Sequence, residues 1–295
     1  MKSTCSPIIQ TSNNKKKKHT LKKAAFNNTC FSKEDLYKII KDWNIFNPKN
    51  KFVINNILSL SSKNLWDIIE NKLTTTTCNN EYCWVKKRVS PQLSQKLKYN
   101  FRPEMPSTWH KNNLEWLSTS DIEDVIKQYE DEFNNFTFRG AVPLDFDKIL
   151  SKRICVSNDV CYMNLNKLKK NGKTKIGIVF NMDEHTKSGS HWVAMFIDLD
   201  NMILGFWDSY GIEPPQEVIT LINRLQKQSN KYWKRPLIIT HNKKRHQYKT
   251  SECGMYCIYF ITQLLEGYTL NYVYNNIIND DQMNHKRHIY FSKIQ

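Results

Sequence analysis

Apolar residues recur at one-face helical spacing twice in the first third of the chain. Leu36, Ile39, Ile40 and Trp43 follow Ser32 and Asp35, which are spaced as a capping pair, and Leu65, Ile68, Ile69 and Leu73 follow a start near Ser62. These two segments predict a small helical region ending near residue 100. A third one-face set, Ile122, Val125, Ile126, Tyr129 and Phe133, begins at Ser120-Asp121-Ile122-Glu123, a capping-box spacing that opens a second domain. The period then shortens to that of strands. Runs at 175–181, 191–198, 202–208 and 237–241 predict strands, with a helix opened by Pro214 and Pro215 between the last two. Strands mixed with amphipathic helices make the fold class α+β. The expected division is a tail over 1–30, a helical accessory domain over 31–100 and a larger domain over 101–295.

Two segments of the larger domain carry candidate chemistry. The runs 191–198 and 202–208 read as a hairpin. A two-residue turn at Leu199 and Asp200 sets Asp198 against Asn201 and, counting back along both runs, His191 against Asp208. Opposed side chains share a face, so the carboxylate can hold one imidazole nitrogen, fix the tautomer and stabilise an imidazolium. The second segment, 253–267, is apolar nearly all round and reads as a buried helix, with Thr250 and Ser251 as capping candidates and Gly267 closing it. Its first residue is Cys253. A thiol at a helix N-terminus meets the positive end of the macrodipole, which favours the thiolate. Gly254 leaves room for a substrate backbone, the free N–H groups of the first turn can stabilise an oxyanion, and Gln247, six residues before Cys253, offers a second donor.

Composition bounds the rest. A chain of 295 residues, 40% hydrophobic, supports one substantial core and a smaller appendage. Lys and Arg outnumber Asp and Glu by 44 to 28, a net charge of +16 that attracts polyanions without naming one. Residues 1–30, with Lys15 to Lys18 in a row, are too polar to fold alone and read as a flexible tail, either an inert solvated one or a nucleic-acid or nuclear-import tether. The eight cysteines lack the dense spacing of a secreted disulfide scaffold and are expected mostly as reduced thiols. Cys78, Cys83, Cys155 and Cys161 suggest a four-thiolate zinc site only loosely, so unligated cysteines are the expectation, and no cofactor or metal is called for. No signal-peptide core or membrane-length apolar run is present, which points to a reducing compartment or a particle assembled there. Cys257 reads as buried packing, His185 and His246 as loop residues, and His241 as a strand end.

The joint order of His191-Trp192, Asp208 within Trp-Asp-Ser, Gln247 and Glu252-Cys253-Gly254 resembles the signature of the papain-like SUMO and ubiquitin-like-protein-specific proteases, and of the adenovirus-type endopeptidases that share their core. Leu114-Glu115-Trp116-Leu117 followed by Ser120-Asp121-Ile122 is similar to the opening of their catalytic domain. The stretch from His191 to Asp280-Asp281-Gln282-Met283 most resembles the polyprotein-processing proteases of the African swine fever type in large DNA viruses. The resemblance spans about residues 100–295. It implies a papain-like core with a central mixed sheet, Cys253 as nucleophile, His191 as base and then acid, Asp208 as orienter, and Gln247 with the Cys253 amide as oxyanion hole. Trp192 and Trp116 would roof a slot that admits only Gly-Gly before the cut, since two indole faces leave height for a bare backbone. The orienter departs from the swine fever type, which has Asn where this chain has Asp208.

The function this resemblance implies is a viral cysteine endopeptidase that cleaves structural polyproteins or capsid precursors after Gly-Gly-type sites, in the virion and at a cytoplasmic assembly site, with DNA as a possible partner of the basic surface. The alternatives are a protease that removes SUMO-like modifiers and, in a different class, a catalytically silent nucleic-acid-binding module.

Overall fold

The computed structural model describes Cys5 and residues 29–292. The chain divides into two compact units, residues 1–103 and 104–295. Among the described residues the first holds four α-helices, α1 Lys33–Phe46, α2 Ser62–Leu73, α3 Glu81–Lys87 and α4 Pro91–Leu97, each with a Ser or Asn N-cap whose side chain accepts a first-turn N–H. Ser32 and Asp35 form the reciprocal capping box expected of them. None of these helices is long enough to be stable alone, so their apolar faces meet. Leu36, Ile39 and Ile40 pack with Leu65, Ile69, Leu73, Trp84, Leu93 and Leu97 between Phe31 and Phe101. The expected flexible tail lies outside the described residues apart from Cys5, Thr29 and Cys30.

The second unit opens with α5 Thr119–Ile126 and α6 Gln128–Glu132. The capping box of α5 is Ser118 with Asp121, two residues before the expected start, because Asp121 reaches back to the Ser118 N–H and Ser118 Oγ accepts from the Asp121 N–H. Then follow β1 Phe136–Pro143, a small β2 Ile149–Ser151 and β3 Ile154–Cys155 ribbon, α7 Asn158–Cys161 and α8 Leu165–Lys170. β4 Lys175–Asn181, β5 Trp192–Asp198, β6 Ile203–Trp207, α9 Gln216–Trp233, β7 Ile238–His241, α10 Cys253–Leu265, α11 Leu270–Asn275, α12 Asp280–His285 and α13 Arg287–Tyr290 complete it.

The five-stranded sheet has the order β1-β4-β5-β6-β7, antiparallel across β4-β5-β6 and parallel at both edges. Every residue of β5 is buried, which is why its sequence is a continuous apolar run and not an alternating one. Val193, Met195 and Ile197 join the layer of α9, with Val218, Leu221, Ile222 and Leu225. Ala194 and Phe196 face the other way, toward α10, all of whose residues are buried. The nucleophile candidate therefore heads a helix fixed in the core.

The cysteines correct one expectation. Cys5 pairs with Cys30, Cys78 with Cys83, and Cys155 with Cys161, so six of the eight are disulfides and the four thiolates weighed for zinc are spent within their own pairs. Close Cα approach decides pairing, and spacing along the chain does not reveal it. The two free thiols, Cys253 and Cys257, both belong to α10.

Candidate active site

His191 immediately precedes β5, and its carbonyl accepts the Met182 N–H at 2.8 Å, which ties it to the end of β4. Across the hairpin, Asp198 pairs with Ile203 and Ala194 with Trp207. The connection is thus four residues, 199–202, and not two. Asp198 builds it by accepting the N–H groups of Asp200 and Asn201 at 2.9 and 3.0 Å, an Asx-type turn that the two-residue reading overlooked. The true register is shifted by two from the expected one. A shift of two keeps every side chain on its face, so His191 and Asp208 remain neighbours, now diagonal and just beyond the last paired residues. His191 Nε2 lies 2.8 Å from Asp208 Oδ1. A carboxylate only accepts, so Nε2 carries the proton and Nδ1 is left for the thiol.

Asp208 is held from several directions. Its Oδ1 also accepts the Tyr210 N–H at 2.8 Å, its own N–H donates to Asn242 Oδ1 at 2.9 Å, and its carbonyl accepts from Asn242 Nδ2 at 2.5 Å. The turn closes with the Gly211 N–H on the Asp208 carbonyl. Gly211 has a φ of 75°, and a Cβ there would lie 2.9 Å from the Lys244 backbone, so only glycine lets this turn seat on the 242–247 loop. The ring of Tyr210 stacks on the imidazole, centroids 4.6 Å apart.

Cys253 heads α10 and lies close enough to the His191 side chain to act on its proton affinity. Burial opposes charge on His191. Hydrogen bonds to Asp208 and Cys253, with the negative charge both can carry, outweigh it and raise the imidazole from 6.5 to about 9. That pairing favours the imidazolium. The Cys253 residue is 1% exposed and the His191 side chain 14%, so the pair meets solvent along the imidazole edge. Neither Thr250 nor Ser251 caps α10; Glu252 occupies the N-cap position and makes no side-chain cap. Its carboxylate is instead buried against Arg287, whose Nε and Nη2 donate to Oε2 and Oε1 at 3.1 Å each, and it accepts from Asn284 Nδ2 at 3.0 Å. Arg287 Nη2 and Asn284 Nδ2 also hold the carbonyls of Glu115 and Asn113. One clasp thereby joins the start of α10 to the chain entering Trp116.

The other predicted residues divide. Gln247 is fully buried, with Oε1 accepting from Ser209 Oγ at 2.6 Å and Nε2 donating to the Lys249 carbonyl at 2.7 Å, which leaves one amide proton unspent among the described residues. Trp192 donates its indole N–H to the Leu117 carbonyl at 3.0 Å, next in the chain to Trp116, which is 42% exposed. Gly254 departs from its expected role. The space beside it belongs to Leu117, whose Cβ would lie 2.9 Å from an added Cβ, so the glycine admits a neighbouring segment of the same protein. Of the lesser residues, Cys257 is buried and its thiol pushed well up by burial, and His241 ends β7. His185 pairs with Asp145 at 2.6 Å, and His246 is a loop residue as expected, though a buried one, packed edge-on against Trp207. Tyr210, Asn242 and Arg287 were not anticipated, since each acts through contacts between distant stretches that no local pattern announces.

A sulfur, an imidazole and a carboxylate brought together in this way can form a nucleophilic thiolate and return a proton to a leaving group. Among the described residues no cluster of His, Cys, Asp or Glu could hold a metal ion, and no helix is long and apolar enough to cross a membrane. Residues 164–295 match the Ulp1 protease family, C-terminal catalytic domain. The chain is 30% identical over 280 residues to a putative thiol protease of Acanthamoeba polyphaga mimivirus, covering 90% of this chain and 89% of that one. It is 25% identical over 238 residues to a SUMO-1 cysteine protease of African swine fever virus, covering 75% and 85%. A crystal structure of the African swine fever virus protease superposes with a TM-score of 0.59 at 20% identity, over 92% of this chain and 94% of that one, so the fold is shared. The chain thus belongs to the Ulp1 protease family and is a thiol protease of α+β fold acting on protein substrates.

Proposed function

We propose that this protein is a viral endopeptidase that cleaves structural polyproteins after Gly-Gly-type sites during particle maturation, with Cys253 as nucleophile. The observation that carries this reading is the His191 imidazole, bonded to Asp208 through Nε2 and set beside Cys253 at the head of a buried helix. The viral origin of the relatives supports the setting. Sγ attacks the scissile carbonyl, and the developing oxyanion is taken by the Cys253 N–H and the unspent Gln247 amide proton. His191 then protonates the leaving amine nitrogen, giving a thioester. Water, deprotonated by the same imidazole, hydrolyses it and restores the thiol. Trp192 and Trp116 flank the acyl side of the cut and select glycine by leaving no height for side chains. The proposed setting is the virion and its cytoplasmic assembly site, with the +16 charge holding the enzyme near packaged DNA.

The printed name of the swine fever relative, SUMO-1 cysteine protease, favours a second reading, removal of a SUMO-like modifier. Peptides carrying internal Gly-Gly-X are to be compared with purified modifier conjugates, using wild type and Cys253→Ser. Peptide cleavage that disappears in the variant supports the processing reading; turnover of conjugates alone sinks it.

A further inference from the structure

Beyond His191, the molecule continues as a ladder of flat groups. The ring of Tyr210 stacks on the imidazole, and the Arg245 guanidinium carbon lies 5.0 Å from the centre of the same tyrosine ring and 4.8 Å from that of Tyr248. The ladder is fixed by backbone contacts. Arg245 Nε donates to the Gln247 carbonyl at 2.7 Å, and the N–H groups of Tyr248 and Lys249 donate to Asp280 Oδ2 at 2.8 and 3.0 Å. The two terminal nitrogens of Arg245, with four N–H donors, bond to nothing among the described residues, and no carboxylate among them pairs with it. Lys243 and Lys244, exposed beside it, add positive potential, while the Asp281 carboxylate is taken up by Lys249. A guanidinium held against two tyrosine rings and bonded through Nε has already lost much of its rotamer freedom, so a carboxylate can bind it in a forked geometry at little further entropic cost.

The chemistry of the cut says which part of a substrate arrives there. The imidazolium delivers its proton to the leaving amine, so the chain on the amine side of the scissile bond lies over His191 and runs away from Cys253. The spacings of 4.6 and 5.0 Å set Arg245 within roughly three extended residues of the imidazole.

We infer that Arg245, braced by Tyr210 and Tyr248, is a specificity subsite for an acidic side chain one to three residues after the cleaved bond. This rests on the proposed roles of Cys253 and His191 and goes beyond them by assigning the leaving side of the substrate.

The test uses the full chain and peptides that share Gly-Gly before the cut and carry Glu, Gln or Lys in turn at the first, second or third position after it. The quantity read is the ratio of kcat/KM values for Glu and Gln peptides within each enzyme, so any general effect of a variant cancels. Wild type is expected to favour Glu over Gln at one of the three positions by about tenfold. Arg245→Gln is expected to bring the ratio to about one, and Arg245→Glu to invert the preference toward Lys. Equal cleavage of all three peptides by wild type, or a Glu preference that survives Arg245→Gln, overturns the subsite and leaves the nucleophile standing. Failure to cleave any of them overturns both.

Discussion

Among individual residues, the chemistry depends on how firmly the charged pair is held. The imidazole of His191 is raised to about 9 because bonds to Asp208 and Cys253 outweigh the cost of burying its charge. Since the folded value lies above the ordinary 6.5, the pair's contribution to stability is complete below about pH 6.5 and is lost as pH rises through about 9. The proton needed by the leaving amine is lost over the same range. The profile of kcat/KM against pH should therefore fall on its alkaline side with an apparent pKa of about 9, a value that belongs to the coupled pair. Asp208→Ala should move that limb to lower pH; a limb that stays in place would show that the carboxylate does not hold the imidazolium. His191 and Asp208 were legible as partners from the sequence because a register error of two leaves both on one face. Their supports were not. The Asn242 clamp on the Asp208 backbone spans 34 residues of chain, and nothing in either stretch signals it.

Among the helices and strands, α10 is placed by two contacts at its first turn. Gly254 faces Leu117 so closely that Gly254→Ala should cost about 1–3 kcal/mol in chemical denaturation by overpacking. Combining it with Leu117→Ala should recover part of that loss, whereas strictly additive costs would mean that the two residues do not press on each other. Glu252, one residue before the nucleophile, is buried with Arg287 at 1% and 2% side-chain exposure. Arg287→Met should cost about 3–5 kcal/mol, because it strands a carboxylate in the interior. A loss below about 1 kcal/mol would show that the clasp is not what seats the helix. The apolar run of α10 was legible as a buried helix beginning at Cys253, yet its cap was not, since the Glu252 carboxylate turns to Asn284 and Arg287, more than thirty positions away, as well as to Ser251. The hairpin turn was misjudged for a similar reason: Asp198 folds back on its own backbone and lengthens the loop.

Across the chain taken together, the arrangement confines free sulfur to one helix. Cys253 and Cys257 are the free cysteines, and burial pushes the Cys257 thiol well up, which disfavours its thiolate. The disulfides were illegible in the sequence because spacing carries no distance, whereas the order of His191, Asp208, Gln247 and Cys253 says more than any one of them alone. The decisive experiment on this chemistry is labelling of the intact chain with a Gly-Gly vinyl sulfone, mapped by mass spectrometry. A nucleophile prepared by His191 should give a single adduct on Cys253 that disappears with His191→Ala. An adduct on Cys257, or labelling of Cys253 that is indifferent to His191, would contradict it.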